Sequence, residues 1–211
     1  MNLEEYLENI KEETSKHNVK LILRNTTYVD VDGSPANGYF GEEPLELVVA
    51  TNKEKEIWIP ILIHEHAHMD QWIEQCPAYT DTWMNNEIDS LDVLYSWMNG
   101  KEYPDDLVKK ASDLSRDLEL DCERRALKKI KKYKLPIDHL NYIKAAAANV
   151  HHYNYMHIRR KLASKRGYST YDDIGILNTM PITLRGNFRR MTKKQLNAYD
   201  EFANKVRTRA Q

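Results

Sequence analysis

His64, Glu65 and His68 spell the pattern H-E-x-x-H inside the stretch Ile61-Leu62-Ile63-His64-Glu65-His66-Ala67-His68-Met69-Asp70. On a helix, residues four apart stand one above the other, about 40° apart around the axis. His64 and His68 can then direct two imidazole nitrogens at one metal ion. Glu65 lies about 100° around the axis from His64, where its carboxylate reaches a metal-bound water rather than the metal. The chemistry these residue types support is hydrolysis, with zinc acidifying a water and Glu65 taking its proton as general base.

The pattern arises by chance about 2–3% of the time in a chain of this composition, so its surroundings decide. Ile59, Ile61, Leu62, Ile63, Met69, Trp72 and Ile73 make the segment an apolar helix. Three histidines and a glutamate on such a helix need partners, because buried polar groups without them are costly. His66 lies about 200° from His64 and cannot join the same site; it reads as a packed or solvated histidine. Asp70 also points elsewhere, and reads as solvated or as support behind a ligand.

Catalytic zinc takes a third protein ligand and leaves one position for water. The candidate region is Leu118-Glu119-Leu120-Asp121-Cys122-Glu123-Arg124-Arg125-Ala126, in a long predicted helix whose apolar stripe runs Val108, Ala111, Ser115, Leu118, Cys122, Ala126, Ile130. Glu119 and Glu123 flank that stripe one turn apart. A metal ion satisfies Glu119, and the N–H of a ligand histidine satisfies Glu123. The competing reading pairs both with Arg116, Arg124 or a lysine of their own helix; the upstream histidines favour the ligand reading. Asp121, about 200° around from Glu119, is the rival third ligand. A donor for a tetrahedral oxyanion is sought in Val150–Arg160, where His151, His152, Tyr153, Tyr155 and His157 share one predicted helix. Tyr153 and His152 are the candidates there, against the plainer reading that such residues edge a core.

H-E-x-x-H followed some fifty residues later by an acidic helix resembles the gluzincin zinc metallopeptidases. Glu119-Leu120-Asp121-Cys122-Glu123-Arg124-Arg125-Ala126 is similar to the E-x-E-A-D-R-x-A segment of HtpX and CAAX-processing peptidases, and to the acidic helix of ImmA/IrrE-type peptidases. The resemblance covers about residues 58–75 and 117–127. It implies zinc on His64, His68 and Glu119, Glu65 as catalytic base, Glu123 supporting a ligand, and a peptide or protein as substrate. Glu123 stands where those families carry Asp, Cys122 where they carry Ala, and Asp121 where they carry Glu. Small soluble zincins of this kind occur in bacteria and phages.

Around these residues the chain reads as α+β and mostly α. A helix over residues 2–17 is followed by strands at Val19–Leu23 and Leu45–Thr51, with turn chemistry at Asp30–Asn37 between them. The motif helix starts near Pro60 and stops before Pro77. LELVVAT, or the preceding GYFGEE, is the candidate edge strand for adding a peptide. Helices follow over 87–98, from Pro104 to about Tyr133, and over 137–164. A loop surrounds Gly167, residues 171–190 are irregular or short helix, and Thr192 caps a last helix to about Arg207. The expected organisation is a zincin-like domain over 1–165 and a basic helical extension over 166–211 packed on it.

The net charge is −1, which points to no partner, but Arg159–Gln211 holds thirteen Lys and Arg against four Asp and Glu, a balance of +9, so the rest carries −10. That asymmetry suits a tail packed on the acidic part, or a surface for nucleic acid or an acidic protein. The alternative function is therefore a zinc-stabilised, non-catalytic nucleic-acid- or protein-binding module. Cys76 and Cys122 form no C-x-x-C pair, which argues against a cysteine zinc site. With no signal-like N-terminus and no long apolar run, the expected setting is cytoplasmic and off the membrane.

Overall fold

The computed structural model describes residues 2–31, 33–84, 87–164 and 169–208. In chain order the elements are α1 (Leu3–Lys16), β1 (Lys20–Arg24), β2 (Val29–Val31), β3 (Ser34–Ala36), β4 (Gly38–Glu42), β5 (Leu45–Ala50), α2 (Lys55–Glu74), α3 (Pro77–Thr80), β6 (Trp83–Met84), β7 (Ile88–Asp89), α4 (Ser90–Met98), α5 (Asp105–Tyr133), α6 (His139–Arg159), α7 (Ile174–Leu177) and α8 (Lys193–Thr208). The fold is α+β: a small N-terminal sheet, then a helical half. No helix among the described residues is long and apolar enough to cross a membrane. The loop expected around Gly167 lies outside the described residues.

By packing, the chain forms two units, one of residues 1–75 and 122–139 and the other of 76–121 and 140–211. The division falls within α5, which is continuous across it.

The first unit is built on a three-stranded sheet in the order β1-β5-β4, with β1 parallel and β4 antiparallel to β5. Leu47, Val48, Val49 and Ala50 are all fully buried, so β5 is covered on both faces, as a central strand must be. LELVVAT is therefore not an edge; of the two candidate segments, the edge is Gly38–Glu42. The turn chemistry of residues 30–37 folds as the β2–β3 hairpin, where Gly33 takes φ +78° and donates its N–H to Asp30 Oδ1 at 3.1 Å. Against β4 and β5 lies α2. Gly38 permits the approach: a Cβ there would stand 2.9 Å from Ile61 Cγ2 and 2.9 Å from the Val48 carbonyl. The helix begins at Lys55, earlier than its proline suggests. Pro60 thus sits inside it and leaves the Glu56 carbonyl to solvent, which Glu56's exposure allows.

In the second unit, Met84, Val93, Leu94, Val108, Ala111 and Met156 form a core shared by the β6–β7 hairpin, α4, α5 and α6. The helix expected over 87–98 starts at Ser90, because Ile88 and Asp89 pair in that hairpin and Asp89 caps the helix through Leu91 N–H at 2.7 Å. Thr192 and Gln195 cap α8 reciprocally, Gln195 N–H to Thr192 Oγ1 at 3.2 Å and Thr192 N–H to Gln195 Oε1 at 2.8 Å. Arg159 pairs with Asp200, Arg160 with Glu102, Arg189 with Asp117 and Lys205 with Asp173. Four of the thirteen Lys and Arg of residues 159–211 are thereby paired with acids of their own unit.

Candidate metal centre

The buried side of α2 against the sheet holds the helix in place, and its polar residues gather on two further sides. On one, His64 Nε2 and His68 Nε2 stand 3.2 Å apart, with the rings edge to face. The second nitrogen of each ring sets its tautomer. His68 Nδ1 lies 2.9 Å from Gln71 Oε1, and an amide carbonyl only accepts, so Nδ1 carries the proton. His64 Nδ1 lies 3.2 Å from Glu123 Oε1, a carboxylate that is 5% exposed, with the same consequence. With both rings neutral, each Nε2 turns a lone pair toward a common point; the raised pKa of His64 puts a proton on its Nε2, which must leave before a metal binds there. Two nitrogens at about 2.0–2.1 Å from a tetrahedral zinc stand roughly 3.3 Å apart, so this donor pair fits the ion. Glu65, half-buried, is the next residue along the helix from His64.

Burial works against a charge on His64, but Cys122 and Glu123 beside it outweigh burial and hold its pKa well above the usual value. The Cys122 thiol lies 3.5 Å from His64 Nδ1 and donates to the His64 carbonyl at 3.3 Å. Cys122, with no metal signature in the sequence, is thus a neighbour of the first histidine.

Glu119 lies one turn before Glu123 on α5. Asn149 Nδ2 donates to its Oε2 at 3.0 Å, and the Tyr153 hydroxyl donates to its Oε1 at 3.1 Å. Arg116, offered by the competing reading as its partner, is fully buried and engaged by Asp113 at 2.6 Å and Asp117 at 2.8 Å. The rival ligand Asp121 receives the Cys76 thiol at 3.9 Å.

The structure separates the two oxyanion candidates. Tyr153 is brought to Glu119; His152 is not. Neighbours on a helix point about 100° apart, and His152 Nε2 instead accepts the Ala163 N–H at 3.1 Å. Burial pushes His152 down to about 4, so it stays neutral and ties down the chain after α6. His151 is also held at about 4 by burial and by Arg116. It accepts from Asn154 at 3.1 Å.

On the other side of α2, His66 is completely buried. Its Nε2 lies 2.6 Å from Glu13 Oε2, so that nitrogen is protonated and Nδ1 accepts from the Tyr6 hydroxyl at 3.1 Å. Lys129 Nζ lies 2.8 Å from Asp70, completing a cluster of Tyr6, Glu13, His66, Asp70 and Lys129. The hydrogen bond from His66 is the main reason Glu13 is lowered to about 2. Burial lowers His66 itself.

Gln71 and Asn149 were not among the sequence candidates. Gln71 stands three residues past His68, a spacing that puts it on the ligand's own face. Asn149 stands four before Tyr153, which gives both side chains one face of α6. No protein-family model, curated protein or solved structure matches the chain.

Proposed function

We propose that the chain is a zinc metallopeptidase of gluzincin type, holding zinc on His64, His68 and Glu119 with Glu65 as general base. The observation that carries this reading is the pair of Nε2 atoms 3.2 Å apart, with both Nδ1 protons held elsewhere by Glu123 and Gln71. When bound, zinc supplies a Lewis acid that acidifies a water and polarises the scissile carbonyl. Glu65 takes the proton of the attacking water and passes it to the leaving amine. Glu123 keeps the His64 proton on Nδ1 and so keeps Nε2 a donor to the metal. An extended peptide has a place to pair along β4, whose outer edge meets no other strand among the described residues. Trp72 Nε1 donates to Glu42 at 3.1 Å and its ring lies 5.6 Å from Phe40, which ties that edge to α2.

The alternative, a non-catalytic zinc-stabilised module that binds nucleic acid or a partner through the basic tail, is weakened by the four tail cations already paired with acids. It also gives Glu65 no task.

Elemental analysis of the purified protein tests the proposal. About one zinc per chain is expected, kept in Glu65→Gln and lost in Glu119→Ala. With an unstructured polypeptide mixture, new N-termini should appear by mass spectrometry for the wild type and not for Glu65→Gln. A wild type that takes up no metal from added zinc overturns the reading.

A further inference from the structure

We propose that Asn149 and Tyr153 are a clamp that positions Glu119 for metal binding, so that α6 sets the orientation of the third ligand. The inference rests on the zinc reading above and assigns these residues a role that reading does not contain.

The geometry is specific. Asn149 and Tyr153 stand one turn apart on α6 and divide the carboxylate between them, Asn149 Nδ2 on Oε2 at 3.0 Å and the Tyr153 hydroxyl on Oε1 at 3.1 Å. A carboxylate oxygen accepts at more than one lone pair, so each keeps capacity for a metal. What the two bonds remove is rotation about the last side-chain bond. A glutamate on a helix surface otherwise samples several rotamers at a cost in entropy when it binds. Tyr153 cannot wander, because its ring packs against the buried core formed by Met84, Val93, Leu94, Val108, Ala111 and Met156. The helices are also tied in register around this point. Ser112 Oγ, on α5 two turns before Glu119, donates to the Tyr153 carbonyl at 3.2 Å, and the buried Arg116 donates to Asn154 Oδ1 at 3.4 Å.

The assignment changes what Tyr153 is for. A phenol that donates to Glu119 at rest is a support for the ligand, and Asn149 is its equal partner. Removing one such support costs about 10–100-fold in metal affinity.

Zinc affinity measured by competition with a fluorescent chelator tests this, using Asn149→Leu, Tyr153→Phe and the same two changes in a Glu119→Ala background. Each single variant should bind zinc about 10–100-fold more weakly, while the metal-free proteins unfold at the wild-type temperature. In the Glu119→Ala background neither change should weaken binding further. Zinc affinity untouched in Asn149→Leu and Tyr153→Phe, but lowered in Glu119→Ala, overturns the clamp and leaves the zinc reading standing. Affinity untouched in Glu119→Ala removes Glu119 as a ligand, and the clamp with it. Equal losses in the presence and absence of Glu119 show a general packing role and also overturn the clamp.

Discussion

The two polar sides of α2 look alike on a residue count and differ in what already occupies them. On one, His64, His68 and Cys122 bring ligand atoms within 4.8 Å of one another; on the other, Glu13, His66 and Asp70 do the same. The second set is completed by an ammonium group, Lys129 Nζ, 2.8 Å from Asp70 and 3.2 Å from His66 Nε2. His66 also turns its Nε2 proton toward Glu13. Its acceptor nitrogen, Nδ1, is taken by Tyr6. On the first side the Nδ1 atoms face Glu123 and Gln71, and the two Nε2 atoms face each other with no ammonium group between them among the described residues. Two sets of convergent donors thus differ in where the protein's own cation lies, and that difference is what a metal titration reads.

The largest effect should come from the first side. On the proposed function Glu65→Gln removes the base while leaving both histidines, so peptide hydrolysis should fall about 10²–10⁴-fold, with zinc content and unfolding temperature unchanged. A matching loss of zinc would make Glu65 a ligand and blur the contrast. The second side should answer in stability instead. Lys129→Met leaves Glu13 and Asp70 without their cation. Breaking a buried pair costs about 3–5 kcal/mol, and the partial exposure of both acids brings the expected loss to about 2 kcal/mol by urea unfolding. Zinc titration of the same variant should then show a second, weaker equivalent on Glu13, His66 and Asp70. Two equivalents in the wild type would break the comparison outright.

The first side was legible in the sequence because a helix fixes where i and i+4 point. That His64 and His68 lie together needed only the helix period, and the place of Glu123 beside His64 was reached from the rule that a histidine serving a metal keeps an acceptor behind it. The second side was not legible. His66 meets Glu13 and Tyr6 across more than fifty residues, and no periodicity relates α1 to α2. The sheet divides in the same way. Leu45–Ala50 announced itself as a strand by its apolar run, but its central place depends on a parallel partner, β1, that local pattern does not reveal. Gly38–Glu42, rich in glycine and acid, was named only as one of two edge candidates. His152 lies apart from Glu119 for a local reason: its neighbour Tyr153 faces Glu119, and one residue turns the helix by about 100°.

The smallest effect sharpens the contrast through pH. Glu13 has an ordinary value of 4.5 and is lowered to about 2, first by the hydrogen bond from His66. A carboxylate whose folded pKa is depressed contributes stability that is fully present above its unfolded pKa and is lost as pH falls through the folded one. The window is thus from about pH 4.5 down toward 2. Glu13→Gln keeps an acceptor for the His66 N–H and removes only the charge. At pH 7 it should be less stable by about 0.5–1 kcal/mol, a figure held low by the exposure of Glu13. His66, lowered by burial, adds its own loss as pH falls below its ordinary 6.5, in both proteins. Urea midpoints for wild type and Glu13→Gln should therefore fall together from pH 6.5 and converge below pH 4.5, where the unfolded wild-type chain takes up a proton on Glu13 that the folded one still refuses. A difference that stays constant down to pH 3 would mean the carboxylate acts by shape alone, and that Lys129 is neutralised by Asp70 without Glu13.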